Sequence, residues 1–343
     1  MSRLGDRVAL IGYRAGWRVV RRLPAGVAYA GFDLLAQLTY RRGGRGVDRL
    51  RANYALARPD QGPLELEDLV RAGLRSYLRY WCDAFRLPEL GLADLDASVR
   101  GVNHEPLKAL LDAGRPVIVF LGHMGNWDLG GAWSSTHLAP VHTVAERLQP
   151  EELFAEFLAF RRALGMTIVP LTGGDDVFRT LVRFCREGRL VALLADRDMT
   201  EGGVEVDFCG HRARMAVGPA ALAVSTGAAL FTCTLYYERS GSASGASTGG
   251  SASGASGPDG TRRRCPRRGS RSSPGTGSGF TTVVTFSDQV PVPTAGTTRA
   301  KVAVMTQACA DTFGQAVTAH TQDWHMMQQV FVSADAARAK LRP

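Results

Sequence analysis

Apolar and polar positions along the chain fall into two regimes. Up to residue 113 the apolar residues recur mostly at helical spacing, and from Val117 onward short β-branched runs alternate with helical stretches. The first regime predicts a helix over 3–23, an apolar segment over 25–40, a basic stretch over 43–58, and helices over 64–86 and 104–113. The second predicts strands at 117–121, 141–145, 167–171 and 190–195, with helices over 150–164 and 175–186 between them. Further strands are expected at 205–208, 229–237 and 280–286, with helices over 219–225 and 297–318 and a closing segment at 323–332. Strand-helix-strand repetition implies an α/β fold, with a largely parallel central sheet flanked by helices.

Composition breaks this pattern once. Residues 240–279 are rich in Ser, Gly and Ala, with an arginine knot at Arg262, Arg263, Arg264, Arg267 and Arg268. So few apolar residues cannot build a core, and the stretch reads as a disordered insertion in a loop joining two adjacent strands. The expected organisation is therefore a segment at 1–42, a single α/β domain formed by 43–236 and 280–335, and the insertion at 240–279.

Charge and cysteine content narrow the partners. The net charge is +9 and is carried by arginine, since Lys108, Lys301 and Lys340 are the only lysines. A positive surface favours anionic partners, and no basic-aromatic stacking platform or nucleic-acid module accompanies it, so a membrane surface is the better candidate than nucleic acid. Cys82, Cys185, Cys209, Cys233, Cys265 and Cys309 are scattered without a Cys-x2-Cys pair, which suggests reduced thiols rather than a zinc site or a disulfide framework.

The first helix matches a membrane surface in detail. On a helical wheel Arg3, Arg7, Arg14, Arg18, Arg21 and Arg22 lie within about a 100° sector, and Val8, Tyr13, Trp17, Val19 and Val20 lie opposite. Leu4 and Ile11 intrude on the basic side, and a surface helix packed on its own core has a similar pattern. The preferred reading is an amphipathic membrane-associating helix, with Arg14, Trp17, Arg18 and Arg21 at the membrane. The apolar segment that follows falls short of the roughly 20 residues needed to span a bilayer.

Candidate chemistry gathers at strand ends. His123 follows the run Val117–Leu121 and Gly122, Glu146 follows the second strand of this region, and Asp196 ends the strand at 190–195. The carboxyl ends of strands in an open α/β sheet form the ligand crevice, so these three residues are expected at one site. Asp128 lies five residues after His123, and a histidine with a nearby carboxylate suits a general base. A capping or packed histidine has the same spacing. A metal site built from His123, Asp128, Glu146 and Asp196 is an alternative, although the set is carboxylate-rich and lacks His-x3-His spacing. A non-catalytic membrane adaptor is another.

The stretch Gly122-His123-Met124-Gly125-Asn126-Trp127-Asp128 resembles the active-site signature of the bacterial lipid A biosynthesis acyltransferase superfamily. Arg75-Ser76-Tyr77-Leu78-Arg79-Tyr80-Trp81, Val144-Ala145-Glu146-Arg147-Leu148, Ala195-Asp196-Arg197-Asp198 and Asp323-Trp324-His325-Met326 follow in the family's order. The wider likeness is to its actinobacterial branch, the phosphatidylinositol mannoside acyltransferases. This resemblance implies transfer of a fatty acyl chain from acyl-CoA or acyl carrier protein to a mannose hydroxyl of a membrane glycolipid. It also implies a peripheral enzyme on the cytoplasmic face of the cell membrane, with no cofactor beyond the donor substrate. His123 would be the general base, held by Asp128, and attack would be direct because no Gly-x-Ser-x-Gly elbow is present. Expected oxyanion donors are the backbone N–H groups of Met124, Gly125 and Asn126, with Arg161 or Arg162 as alternatives. Glu146, Arg161, Arg162, Asp196 and Arg197 would line the substrate cleft, and the aromatic helix at 64–86 would help to shape an acyl groove.

Overall fold

The computed structural model describes residues 16–147, 151–171, 176–198, 202–240 and 276–332. Its N-terminal part is helical: α1 over 16–22, α2 (Ala25–Arg42), α3 (Arg45–Ala57) and α4 (Pro63–Arg86). Pro63 opens α4 and the Glu65 carboxylate accepts the Gly62 N–H at 2.8 Å, which satisfies a donor that the first turn leaves open. The rest of the chain alternates. Helix α5 (Leu92–Ser98), β1 (Val99–Val102) and α6 (Glu105–Asp112) lead into β2 (Val117–Leu121), α7 (Trp127–His137), β3 (Val141–Ala145), α8 (Glu151–Ala163) and β4 (Thr167–Pro170). Then follow α9 (Val177–Arg186), β5 (Leu190–Leu194), the hairpin β6 (Val204–Phe208) and β7 (His211–Met215), α10 (Gly218–Thr226), β8 (Ala229–Arg239), β9 (Phe280–Phe286) and α11 (Thr298–Ala319).

Seven strands form one sheet in the order β1-β9-β8-β2-β5-β3-β4, and β6 pairs with β7 outside it. Each pairing within the large sheet is parallel except β8 with β9. The α/β expectation with a largely parallel sheet therefore holds. β8 and β9, which flank the Ser/Gly-rich stretch in sequence, are antiparallel neighbours, and the N–H of Ser240 bonds the carbonyl of Gly279 at 2.9 Å. The stretch 241–275 and the start of the first predicted helix lie outside the described residues.

The sheet is buried on both faces, which explains why β2 is apolar at every position. Ile118, Phe120, Val191, Leu193 and Leu230 face a core shared with α10 and α11. Val117, Val119, Leu190, Ala229 and Phe231 face a second core with α7 and α8. β2 lies between β5 and β8, so the turns that follow β2 and β5 open side by side at one sheet edge.

Candidate active site

His123 leaves β2 in a tight turn that Gly125 makes possible. Gly125 has φ +60°, and a Cβ there would lie 2.6 Å from the backbone of Leu235. The imidazole Nδ1 is 2.7 Å from Oδ1 of Asp196, and the His123 backbone N–H donates to the other carboxylate oxygen at 2.9 Å. The Trp324 indole N–H donates to that same oxygen at 3.2 Å. Burial alone would raise the Asp196 pKa, but the His123 imidazole and these donors hold it below the usual carboxylate range. An ionised partner on Nδ1 places the proton there, so Nε2 carries the free lone pair. The His123 side chain is 26 % exposed and Asp196 is fully buried, which is the arrangement of a base reachable from outside and a fixed orienter behind it.

Asp128, one turn along α7, is spent elsewhere. Arg161 holds it through two hydrogen bonds of 2.8 and 3.3 Å, and the Tyr80 hydroxyl donates to it at 2.8 Å. Burial opposes the Arg161 charge, but Asp128 and Tyr80 outweigh it and raise its pKa. Burial and the Asp128 charge together push the Tyr80 phenol up. Tyr80 stacks on Trp127 at 4.2 Å between ring centroids, and Trp127 meets the His123 ring nearly edge-on at 5.8 Å.

A narrow apolar pocket of about 80 Å³ is lined by Trp127, Asp128 and Arg161. It runs between α7 and the sheet, along Leu121 and Val119 of β2 and Leu194, Ala192 and Leu190 of β5, to Val141 and Ser134. These strand residues alternate by two, so one face of the sheet forms the wall. Gly130 contributes to the narrow gap, because a Cβ there would lie 2.6 Å from Leu235 Cδ2.

The model of the bacterial lipid A biosynthesis acyltransferase family matches residues 7–253. The chain is 36% identical over 344 residues to a phosphatidylinositol mannoside acyltransferase of Mycolicibacterium smegmatis, covering 98% of this chain and 97% of that one. It is 37% identical over 337 residues to a phosphatidylinositol mannoside acyltransferase of Mycobacterium tuberculosis, covering 96% and 91%. The chain belongs to the lipid A biosynthesis acyltransferase family. It is an acyltransferase, and therefore an enzyme.

Placed in the acyltransferase, several sequence expectations change. The carboxylate on His123 is Asp196, not Asp128, because β5 lies directly beside β2 whereas Asp128 is turned onto Arg161 and Tyr80. Two of the three expected amide donors are occupied: Met124 N–H bonds the Gly122 carbonyl and Gly125 N–H bonds the Asp323 carbonyl, each at 2.8 Å. The Asn126 side chain caps α7 on Leu129 N–H and donates to Asp83. Arg161 lines the pocket with its charge directed at Asp128, Arg162 and Glu146 are exposed, and Arg197 bonds Gln328. His123, Asp128, Glu146 and Asp196 thus do not converge as a ligand set, and among the described residues no group of three or more His, Cys, Asp or Glu side chains is arranged to hold a metal ion.

The membrane expectation changes as well. Trp17 turns inward, donating its indole N–H to the Phe85 carbonyl at 2.9 Å and packing on Phe85 and Phe160. Arg21 pairs with Glu89, Arg18 is exposed, and Arg14 lies outside the described residues. Val19 on α1 is exposed, and most of the exposed large apolar residues of this region are on α2: Val27, Leu34, Leu35 and Leu38. No helix among the described residues is long and apolar enough to cross a membrane.

A second buried network, absent from the sequence expectations, supports the His123 turn. The Ser76 hydroxyl donates to Asp323, and His325 Nε2 lies 2.9 Å from that same hydroxyl, so Nε2 carries the proton. The His325 backbone N–H donates to the His123 carbonyl at 2.7 Å. Burial pushes Asp323 up to about 6 and His325 down to about 3. The signal in the sequence was the pair of stretches around Ser76 and His325, which are 249 residues apart.

Proposed function

We propose that the protein transfers a fatty acyl chain from an acyl-CoA thioester to a mannose hydroxyl of phosphatidylinositol mannoside. The observation that carries this reading is the His123–Asp196 pair, whose imidazole packs against Trp127, a wall of the apolar pocket. Two phosphatidylinositol mannoside acyltransferases matched over nearly their whole length support the acceptor.

The acceptor hydroxyl gives its proton to His123 Nε2 as its oxygen attacks the thioester carbonyl. Asp196 stabilises the imidazolium and keeps the ring oriented. Collapse of the tetrahedral intermediate breaks the C–S bond, and the imidazolium returns the proton to the leaving thiolate. The methylenes nearest the carbonyl lie in the pocket against β2 and β5, where apolar walls favour them by about 0.8 kcal/mol per buried methylene. Asp128 acts through the aromatic wall it anchors rather than on the base. The enzyme works as a peripheral protein on the cytoplasmic face of the membrane, with anionic lipid and the exposed α2 residues as the contact.

Purified protein incubated with radiolabelled acyl-CoA and a panel of glycolipids tests this, with products read by mass spectrometry. A monoacylated mannoside whose formation persists in EDTA is the expected result. Acylation of a different glycolipid overturns the acceptor assignment, and loss of turnover in EDTA overturns the metal-free mechanism.

A further inference from the structure

The tetrahedral intermediate of acyl transfer places a negative charge on the former carbonyl oxygen, and that oxygen needs a hydrogen-bond donor. The turn after His123 offers fewer than its sequence suggests. The N–H of His123 is on Asp196, that of Met124 on Gly122 and that of Gly125 on Asp323, which leaves the Asn126 N–H at the start of α7 as the remaining backbone donor of the turn. The side-chain amide of Asn126 is on Asp83, the indole of Trp324 on Asp196, and the guanidinium of Arg161 on Asp128.

Trp127 differs from these neighbours. Its ring lines the apolar pocket and meets His123 nearly edge-on at 5.8 Å, and its indole N–H has no hydrogen-bond partner among the described residues. Trp127 is half-buried and its N–H is open to solvent, so the donor stands available to a ligand without the cost of a buried unpaired group. The ring is also held rigidly. Tyr80 stacks on it at 4.2 Å, and Tyr80 is itself fixed by its hydrogen bond to Asp128. A donor that is unpaired, rigid and adjacent to the base meets the requirements for preorganised charge stabilisation.

We propose that the Trp127 indole N–H is an oxyanion donor in the acyl-transfer step, positioned by the Asp128–Tyr80 pair. This rests on the acyl-transfer reading above. An acyl chain seated in the pocket brings its thioester carbonyl past Trp127 on the way to His123. Attack by the acceptor oxygen forms the C–O bond and moves the carbonyl π pair onto oxygen, where the indole N–H receives it. Collapse restores the carbonyl, expels the thiolate and releases the hydrogen bond. The same placement assigns the aspartate five residues after His123 a purpose other than holding the imidazole: it fixes the stack that aims the donor.

The test replaces Trp127 with 3-benzothienylalanine, which keeps the shape of the ring and lacks the N–H, alongside Trp127→Phe. Acyl-CoA hydrolysis without glycolipid and transfer to the glycolipid are both measured. Loss of one such donor lowers kcat by about 10²-fold or more. The KM for acyl-CoA, the pH profile and the melting temperature of the benzothienyl protein should match the parent. A benzothienyl protein that keeps parental kcat overturns the proposal and transfers the role to the backbone N–H groups of the first turn of α7. Absence of any thioester turnover by the parent overturns the acyl-transfer reading, and the proposal with it; hydrolysis without glycolipid transfer overturns only the acceptor.

Discussion

Nδ1 of His123 lies 2.7 Å from a carboxylate oxygen of Asp196, a residue 73 positions further along the chain. The nearer carboxylate in sequence, Asp128, forms its ion pair with Arg161 instead. This division of labour separates two variants that sequence alone would class together.

Asp196→Asn and His123→Ala should each lower kcat by about 10²–10⁴-fold with little change in substrate KM. Asp128→Asn should cost stability, about 3–5 kcal/mol, because it leaves the largely buried Arg161 without its counter-charge, and should lower kcat only through the loosened Tyr80–Trp127 stack, with the His123 titration kept. Chemical denaturation beside steady-state kinetics checks the contrast. A stable Asp128→Asn protein with a lost imidazole titration would return the orienting role to Asp128.

His325 should contribute to acid sensitivity. Its folded pKa, about 3, lies below the ordinary value of 6.5, so its stabilising contribution is complete above pH 6.5 and is lost as pH falls toward 3. The full term is on the order of 5 kcal/mol. Asp323 works in the opposite sense: raised from 3.8 to about 6, it favours the fold at low pH and that contribution is lost as pH rises through 6. His325→Gln should therefore flatten the loss of stability between pH 6.5 and 3, as measured by urea unfolding across that range.

The pocket should read chain length. Ser134 lines the pocket two turns along α7 from Trp127 and is buried. Ser134→Phe fills the part of the pocket remote from Trp127, so the longest accepted chain should shorten while short acyl-CoA substrates retain their kcat. Competition among acyl-CoA of graded length, read by product mass, gives the comparison.

Membrane attachment should follow α2 rather than the Trp17 face. Leu34→Ser with Leu38→Ser should weaken vesicle binding by about 1.5–3 kcal/mol for each side chain that enters the leaflet. Trp17→Ser should instead reduce melting temperature, since its ring packs between Phe85 and Phe160. Sedimentation with anionic vesicles at low and high salt distinguishes the apolar term from the arginine term, which salt screens.

Replacing residues 241–275 with a short Gly/Ser turn should leave melting temperature and acyl-CoA turnover near parental values. β8 and β9 already pair along their length and close through Ser240 and Gly279, and loop-closure entropy changes slowly with length. A large fall in melting temperature would show that the stretch is a folded part of the domain.

The sequence determined whatever depends on neighbours along the chain. A buried strand such as β2 shows itself as a β-branched run, a helix such as α4 as an apolar stripe opened by proline, and the alternation of the two implies the parallel sheet. It also placed His123 and Asp196 at strand ends, and so at one edge of that sheet. The tertiary structure decided which groups meet there. Asp196 reaches His123 because β5 is hydrogen-bonded beside β2, and strand order is not encoded in local periodicity. Met124 and Gly125 lose their free amides to the turn itself and to the Asp323 segment, which returns from the far end of the chain. Trp17 has the same helical-wheel position whether it faces lipid or Phe85, so only packing could choose between them. Side-chain periodicity is a property of one element, whereas a hydrogen-bond partner is a property of two, and their separation in space is set by the fold.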